Sequence, residues 1–536
     1  MGKRLATILM IVSPFVLLPV AAAYVQWGAV GLPALPHGPA LTPETAAGPY
    51  GFPAWLRVTH YVNFLFLILL IRSGLQILMD HPRLYWNVHC TPNTEWARFT
   101  PIEVPTDRVW NAKDDARPLT PWVGLPGYRH SIGMARHWHF LSVLFWVGNG
   151  VVFVVLLFGT GQWKRLVPNT WRVLPDAWAV FVHYATFHMP PEPDGFYRYN
   201  ALQQLAYFTA VFVLAPLAIV TGPSMSPALT NRFRWFPKLP GNRQIGRSLH
   251  FLTMCGFLVF TFTHVTMVVL TGFGRNMNHI VMGTDDARPI GLYLGLIGIA
   301  VVVALNALAN WAAWRRPRAV QHAAKAIVTP VMRLLLDSAA PVAEFPREDI
   351  SPFFWPNGKV PTCDEWKLLV ANGLKDYRLR VYGLVENPVE LSMDDLRAMA
   401  KKTQITLHHC IQGWSGIAEW GGLPMATLIE LVGPKPDARV AVFYSFGEGL
   451  EGGQFYDSHP IENLTHSQSL LAYEMNFEPL NEQHGTPLRL RVENQLGFKM
   501  VKWIRAIEFV ESVESIGKGE GGYNEDNEYF GELANI

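Results

Sequence analysis

Long apolar runs fill the first 316 residues of this 536-residue chain, whereas the residues after about 345 alternate between short apolar and charged segments. An apolar run of about 20 residues is long enough to cross the ~30 Å hydrocarbon core of a membrane. Five runs of this kind lie at residues 58–79, 138–159, 201–222, 248–272 and 290–314. The pattern predicts an all-α helical bundle in the membrane, followed by a soluble domain.

A sixth apolar run, Leu5 to Tyr24, follows two basic residues and ends in three alanines, Ala21 to Ala23. This composition fits either a cleaved signal peptide or a signal anchor, and we interpret it as an anchor. The bundle then has five or six transmembrane helices. The predicted divisions are an anchor and loop (1–56), the membrane domain (57–316), a linker (317–345) and the soluble domain (346–536).

The basic residues between the spans are unevenly distributed. Residues 80–136 and 223–247 carry seven and five Lys or Arg, whereas the loops on the opposite face carry six in total. Basic loops tend to stay on the cytoplasmic side. We therefore expect a multi-pass protein of the bacterial-type inner (cell) membrane, in contact with lipid, with its soluble domain in the cytoplasm.

Charge and cysteine content exclude several classes of site. The formal net charge is only +2, so nothing indicates a nucleic-acid partner. The four cysteines are far apart and form no CxxC pair, which argues against a disulfide framework or a zinc site.

Four histidines, His60, His139, His250 and His264, lie within or at the ends of predicted spans. Ionisable side chains are costly in hydrocarbon, so such positions are functional candidates. His250 and His264 are 14 residues apart, about 21 Å on one helix face. In an up-and-down bundle His60 lies level with His264, and His139 level with His250. Two facing pairs at two depths suit two b-type haems with imidazole on both sides of each iron.

This half resembles the di-haem cytochrome b subunits of formate dehydrogenases and nickel–iron hydrogenases, in the segment Gly246-Arg-Ser-Leu-His250 and at Thr263-His264. The resemblance implies that His60 and His264 hold one haem, and that His139 and His250 hold the other. His137 is an alternative to His139, which we prefer because it lies deeper in its apolar run. The chain departs from those subunits by its additional span at 290–314.

The soluble half mixes strand-like and helical patterns, which favours an α+β domain. Ser392 with Asp395 forms a capping-box pattern that predicts the start of a helix. Alternating segments predict strands at Tyr377–Leu384, Thr403–His409, Ala438–Ser445, Leu488–Glu493 and Lys499–Val510.

Cys410 follows one of these strands and opens a Gly- and Ser-containing loop, His409-Cys-Ile-Gln-Gly-Trp-Ser415. A free cysteine is more often a small buried apolar residue than a ligand. A thiolate at the mouth of a loop nevertheless suits a transition metal.

Residues 350–511 resemble the sulfite oxidase-type molybdopterin fold, which includes the bacterial methionine sulfoxide reductase catalytic subunits. The resemblance rests on Ile350–Gly358, on the Cys410 loop, on Leu471–Asn476 and on the block from Glu482 through Arg489 to Trp503. It implies that Cys410 is the catalytic molybdenum ligand. The cofactor-binding residues that it implies are Phe354, Trp355, Asn357, Ser445, His484, Arg489, Lys499 and Lys502.

Two departures bear on the substrate. Sulfite oxidases have Arg-Asn-His where this chain has Pro356-Asn-Gly358, and they carry an arginine pair that is missing after Cys410. Because those arginines attract an oxyanion, we expect a small oxo-transfer substrate such as a sulfoxide rather than sulfite. Electrons would pass between the molybdenum and a membrane quinone or another redox partner through the haems.

Three alternatives stay open at this point: a sulfite-oxidising enzyme, a haem-only cytochrome whose soluble domain binds a partner, and a transporter that uses the histidines for protons. The sequence shows no pair of broken helices that would favour the transporter. It indicates neither the direction of electron flow nor the oligomeric state.

Overall fold

The computed structural model describes residues 2–35, 48–105, 110–127, 132–188, 195–233, 235–236, 239–336 and 343–531. The chain forms two compact units. The first unit comprises residues 1–71, 142–221 and 249–308, and the second comprises residues 72–141, 222–248 and 309–536.

Helices dominate the chain up to residue 336. They are α1 (Gly2–Val30), α2 (Ala54–Leu78), α3 (Ile132–Gly159), α4 (Trp163–Leu166), α5 (Val173–Ala185), α6 (Ala201–Phe208), α7 (Ala215–Ser224), α8 (Pro227–Arg232), α9 (Arg243–Leu270), α10 (Phe273–Met277), α11 (Pro289–Arg315) and α12 (Pro317–Leu336). Helices α6 and α7 are joined by a π-helical segment, Thr209–Leu214, into one continuous span.

Five helices are long and apolar enough to cross a membrane: α2, α3, the α6–α7 span, α9 and α11. They confirm the five spans expected from the apolar runs. The observed helices begin up to six residues earlier, because polar residues such as Arg136 and Arg243 continue the helical hydrogen bonding past the apolar run. The sixth run lies within α1, and its role as an anchor stays a prediction.

Three short helices of the first unit, α4, α5 and α10, lie outside the predicted spans. Helix α5 carries His183, whose side chain is buried. The His183 ring contacts two backbone carbonyl oxygens, with Nε2 3.0 Å from that of Pro33 and Nδ1 3.3 Å from that of His188. Both ring nitrogens therefore contact backbone oxygens.

The second unit includes an ordered segment that precedes α3. Strands β1 (Arg83–Leu84) and β2 (Ala97–Arg98) pair antiparallel. The Arg83 guanidinium lies at their centre, fully buried, 2.7 Å from Asp115 and 3.2 Å from Glu95. Two carboxylates around one buried guanidinium fix this segment in place of a flexible loop.

The remainder of the second unit contains two five-stranded sheets. Its strands are β3 (Leu379–Gly383), β4 (Val389–Leu391), β5 (Lys402–His409), β6 (Ser415–Pro424), β7 (Val440–Glu448), β8 (Gln454–Pro460), β9 (Ser469–Met475), β10 (Glu478–Pro479), β11 (Arg489–Val492) and β12 (Ile504–Val510). One sheet has the order β10-β9-β6-β5 with β11 also on β9, and the other has the order β4-β3-β12-β7-β8. Only β3 and β12 pair in parallel among the described strands.

Five short helices accompany the sheets: α13 (Asp364–Ala371), α14 (Met393–Ala398), α15 (Met425–Val432), α16 (Ile461–Leu464) and α17 (Tyr523–Asn527). The capping box at Ser392 and Asp395 is present at the start of α14. These elements confirm the α+β class. The strand expected at Lys499–Val510 begins only at Ile504, because residues 497–499 form a 3₁₀ turn.

A cluster of buried aromatic side chains surrounds Cys410. Trp355, Trp414 and Trp420 of the soluble domain pack there with Tyr85 and other residues of the segment before α3. The segment between the first two predicted spans therefore covers the cysteine loop.

Candidate cofactor site

The Cys410 loop is a tight turn between β5 and β6. The Cys410 amide donates to the carbonyl oxygen of Trp414, and the Gly413 amide donates to that of Cys410. Gly413 has φ +111°, a left-handed conformation that favours glycine. The Cys410 side chain is buried, and burial raises the pKa of its thiol to about 12.

The first two residues of α9 support this turn. The Arg243 guanidinium donates to the carbonyl oxygens of Trp414 and Cys410 at 3.1 and 3.4 Å. The Gln244 amide donates to the carbonyl oxygen of Gly413 at 3.0 Å. Sequence reasoning missed both, because nothing local indicates that residues 240 and 410 meet.

The first predicted cofactor segment reaches the cysteine through Asn357. Its side-chain amide lies 3.7 Å from Cys410 Sγ. Trp355 is fully buried and donates its indole N–H to the carbonyl oxygen of Cys90, so its side chain helps to form the wall behind the site. The Phe354 ring contacts the rings of His408, Trp414, Trp420 and His484.

Arg489 and Lys502, the two cations expected to bind phosphate, are opposite each other in an antiparallel bridge. The Arg489 side chain is buried and Lys502 is partly buried, and no acidic side chain forms an ion pair with either among the described residues. The Lys502 ammonium donates to the carbonyl oxygen of Gln483 at 2.6 Å. Burial lowers the pKa of each well below its ordinary value, and the charge of Arg491 adds to this effect at Arg489, as that of Arg489 does at Lys502. Two like charges held together without a counter-ion indicate a site for an anion.

Unsatisfied donors and a cavity lie beside this pair. Neither Arg489 Nε nor the indole nitrogen of Trp420 has a hydrogen-bond partner in the described part of the chain. His484 lines a neighbouring cavity of about 440 Å³ together with Ser351, Phe354 and Asn476. Buried donors without partners fit a ligand rich in acceptor atoms, such as a pterin with a phosphate.

His484 connects the first segment to the cation pair. Its Nδ1 lies 2.9 Å from Asn481 Oδ1, and its Nε2 lies 3.2 Å from the carbonyl oxygen of Phe354. Burial, with Lys502 and Arg489 nearby, lowers the pKa of His484 to about 3. The ring is therefore neutral at physiological pH in the absence of an anion.

The structure gives Ser445 and Lys499 different surroundings. The Ser445 hydroxyl donates to the carbonyl oxygen of Lys502 at 2.7 Å and accepts from the Gly447 amide, so it fixes the backbone beside the cation pair. The Lys499 ammonium forms buried ion pairs with Asp457 and Glu525. Its charge is thus neutralised within the protein, unlike those of Arg489 and Lys502.

A third buried cation, Arg491, was missed although it follows Arg489 at a two-residue strand spacing. Its guanidinium binds Glu493 through two hydrogen bonds and lies 3.0 Å from His408 Nδ1. Gly497 packs against the same histidine, and a Cβ at this position would lie 2.2 Å from His408 Cε1.

A group of charged side chains near Cys410 comes from distant parts of the chain. Lys113 lies 3.7 Å from Asp80 and 3.4 Å from Glu528. The backbone carbonyl oxygen of Asp80 also accepts from the Gln412 side chain. Burial opposes the charge on Lys113, but Asp80 and Glu528 outweigh it and raise its pKa.

No group of three or more His, Cys, Asp or Glu side chains that could hold a metal ion occurs in the described ranges of the chain. Cys410 is therefore at most a single protein ligand. A metal at this position requires further ligands from a bound cofactor, as the dithiolene-type centre of a molybdopterin provides.

The intramembrane histidines fall into distinct settings. In the first unit, the ring centroids of His60 and His264 are 6.3 Å apart. Also in this unit, His250 Nδ1 lies 3.0 Å from the Thr221 hydroxyl. In the second unit, His139 Nδ1 lies 3.0 Å from the Ser73 hydroxyl.

His137, the alternative to His139, lies in the second unit as well. Its Nε2 is 3.0 Å from the carbonyl oxygen of Tyr529, which belongs to the C-terminal segment.

Two family models match the chain. The model described as prokaryotic cytochrome b561 matches residues 51–283, and the model described as oxidoreductase molybdopterin binding domain matches residues 363–516. Residues 51–283 are therefore similar to cytochrome b561, and residues 363–516 are similar to the molybdopterin-binding oxidoreductase domain. The first contains four of the five candidate spans, and the second contains Cys410 and the Arg489–Lys502 pair.

Individual relatives match part of the chain. A putative protein-methionine-sulfoxide reductase subunit YedZ1 of Azospira oryzae is 33% identical over 28% of this chain and 54% of its own length. The protein-methionine-sulfoxide reductase catalytic subunit MsrP of Xanthomonas axonopodis pv. citri is 29% identical over 26% of this chain and 47% of its own. The sulfite oxidase of Arabidopsis thaliana is 32% identical over 26% and 44%. The chain therefore spans about half the length of these relatives.

Proposed function

We propose that this protein is a membrane-bound molybdenum oxidoreductase that reduces a sulfoxide with electrons delivered through two b haems. The observation that carries the molybdopterin assignment is the Arg489–Lys502 pair, which forms no ion pair with an acidic side chain in the described residues and lies on the same structural unit as Cys410. When bound, haem supplies one-electron transfer, and molybdenum supplies two-electron exchange of an oxygen atom.

Each cofactor residue has a separate task. Arg489 and Lys502 bind the phosphate of the pterin, with Ser445 fixing the backbone beneath Lys502. Cys410 is the metal ligand, and Asn357 orients its sulfur from 3.7 Å away. Trp355 and Phe354 exclude water from the site, since both side chains are buried.

The haem assignment follows from the histidine settings. A centroid separation of 6.3 Å between His60 and His264 leaves room for one metal ion bonded to a nitrogen of each ring at about 2 Å. In both His139 and His250, Nδ1 contacts a hydroxyl group. This contact orients the ring so that the opposite nitrogen, Nε2, binds an iron. His137 is less suited to a ligand role, because its Nε2 contacts the Tyr529 carbonyl oxygen.

The charges near Cys410 favour a neutral substrate. The negative charges of Asp80 and Glu528 are balanced by those of Lys113 and Arg243, and the arginine pair that would attract an oxyanion is absent after Cys410. A sulfoxide is neutral and accepts hydrogen bonds through its oxygen. Its reduction consumes two electrons and two protons and yields a sulfide and water. A membrane quinone is the electron donor that fits a haem pair within the bilayer.

The proposal is tested by an optical and metal inventory of the purified full-length protein. We expect two haems and one molybdenum per chain, and sulfoxide reduction with a quinol analogue. Cys410→Ser should abolish turnover and leave the reduced-minus-oxidised haem spectrum unchanged, whereas Cys363→Ser at an exposed position should change neither. Protein with haem but no molybdenum would support a haem-only cytochrome, and oxidation of sulfite without sulfoxide reduction would support a sulfite-oxidising enzyme.

A further inference from the structure

Helix α12 follows the last membrane span after a single residue, Arg316. The sequence predicts a linker at residues 317–345, whereas the structure has a regular helix of 20 residues at its start. It is not among the helices of the described chain that are apolar enough to cross a membrane. One face of this helix is polar and the opposite face is apolar, and the two faces have different surroundings.

The polar face binds the C-terminal segment. The Arg318 guanidinium donates to the carbonyl oxygens of Glu525 and Asp526, and the buried Gln321 amide donates to that of Phe530 at 2.7 Å. Three cationic or titratable groups, Arg318, His322 and Lys325, surround the Glu520 carboxylate. This face is fully used by contacts within the second unit.

The opposite face is apolar and exposed. At 3.6 residues per turn, one set of positions lies between about a quarter and half a turn away from Gln321, on the side away from Arg318 and Lys325. Its members are Ala319, Ala323, Ala326, Ile327, Pro330 and Val331. All six are exposed, and the two large side chains, Ile327 and Val331, are 42% and 39% exposed. The tail contacts on the polar face prevent the helix from rotating to bury this stripe in the protein.

Basic residues complete the pattern. The segment 315–336 carries five basic residues and no acidic residue. Arg318 and Lys325 pair with Glu520, whereas Arg315, Arg316 and Arg333 lie outside those ion pairs, toward the two ends of the helix. An amphipathic helix with an apolar stripe and basic flanks binds in the plane of a membrane interface, where its cations meet anionic headgroups. Continuity with α11 starts α12 at the end of a membrane-spanning helix.

We propose that α12 is an interfacial helix that inserts its Ala319–Val331 stripe into the surface of the same bilayer that α11 crosses. Its polar face then ties the C-terminal segment, and with it the molybdopterin domain, to the membrane surface. The occupant of the apolar face is lipid, because the stripe continues directly from a membrane span and its flanks carry only positive charge.

The test uses the full-length protein with the accessible native cysteines replaced, Cys255→Ser and Cys363→Ser, in nanodiscs that hold one chain each. A single cysteine is introduced by Ile327→Cys and labelled with an environment-sensitive fluorophore. The matched control is Leu368→Cys on α13, an aliphatic position that is 67% exposed on the soluble domain. Val331→Cys provides a second position on the stripe.

We expect a blue-shifted emission from the labels at 327 and 331, and quenching by brominated lipid in discs of mixed phosphatidylglycerol and phosphatidylcholine. That quenching should be several-fold stronger than for the label at 368. Equal quenching at all three positions would overturn the proposal. So would a blue shift at 327 that appears only when two chains share a disc, since the stripe would then be an interface between copies of this chain.

Discussion

The imidazole rings of His60 and His264 face each other with their centroids 6.3 Å apart, although 204 positions separate them in the sequence. His60 belongs to the helix Ala54–Leu78 and His264 to the helix Arg243–Leu270. The rings are too far apart to hydrogen-bond directly, and they are suitably spaced to share one metal ion. This separation is what the up-and-down arrangement of the apolar runs predicts.

His60→Leu and His264→Leu should therefore remove the same haem. Each single variant is expected to lose about half of the haem absorbance, because an iron needs both axial ligands. The double variant should lose no more than either single one. The measurement is haem content per chain with a reduced-minus-oxidised spectrum.

The control for this experiment is the second pair of histidines, His139 and His250. His139→Leu and His250→Leu should remove the remaining haem and leave the one at His60 and His264. Loss of both haems from any single variant, in protein that remains folded, would contradict the assignment of pairs.

Lys502→Met should stabilise the cofactor-free protein and weaken binding of the molybdenum cofactor. Without an anion, the Lys502 ammonium lies beside Arg489 with no acidic partner and donates only to the carbonyl oxygen of Gln483, so its removal should raise the thermal stability of protein made in cells that lack the cofactor. With the cofactor, the variant loses a charge-assisted contact of about 1.5–3 kcal/mol, and molybdenum content should fall at least tenfold. Lys367→Met, exposed on α13, should change neither quantity.

The pH dependence of the cofactor-free protein follows from the same side chain. Because burial lowers the pKa of Lys502, the unfolded chain binds more protons than the folded chain at pH values between the lowered pKa and about 10.4. Stability should rise with pH over this window and stop rising near pH 10. The slope should be smaller in Lys502→Met, as measured by urea unfolding at several pH values. An unchanged slope would show that Lys502 is not the group responsible.

Gly497→Ala should disturb the buried His408–Arg491 contact. The added Cβ would lie 2.2 Å from His408 Cε1, which forces the ring to move. Overpacking of this kind costs about 1–3 kcal/mol, visible as a lower melting temperature. Gly150→Ala, with nothing within 4 Å of the added atom, is the matched control. An equal melting temperature for both variants would show that the histidine can relax at little cost.

Asp80→Asn should make the site more accessible to anions. Removal of one negative charge near Cys410 is worth roughly 1–4 kcal/mol at an effective dielectric constant of about 20, so the inhibition constant of sulfite should fall at least about fivefold. The KM for a neutral sulfoxide should change much less. Asp114→Asn, exposed beside Lys113, should alter neither constant. If sulfite inhibits the Asp80→Asn and the unmodified protein equally, the charges at this position do not select the substrate.

The sequence by itself determined the features that depend on local periodicity or on a contiguous motif. Apolar runs of about 20 residues located the five spans, since a helix of this length satisfies its own backbone hydrogen bonds in hydrocarbon. The capping box at Ser392 and the alternating segment before Cys410 located α14 and β5.

Only the tertiary structure decided which distant residues meet. Three contacts join segments whose sequences give no local sign that they meet. They are the bridge between Arg489 and Lys502, the placement of Lys113 between Asp80 and Glu528, and the contact of Arg243 with the Cys410 loop. The same holds for α12, whose sequence contains both a polar and an apolar stripe. Its role depends on which stripe the C-terminal segment covers, because helical periodicity specifies that two faces exist and only long-range packing specifies what each face contacts.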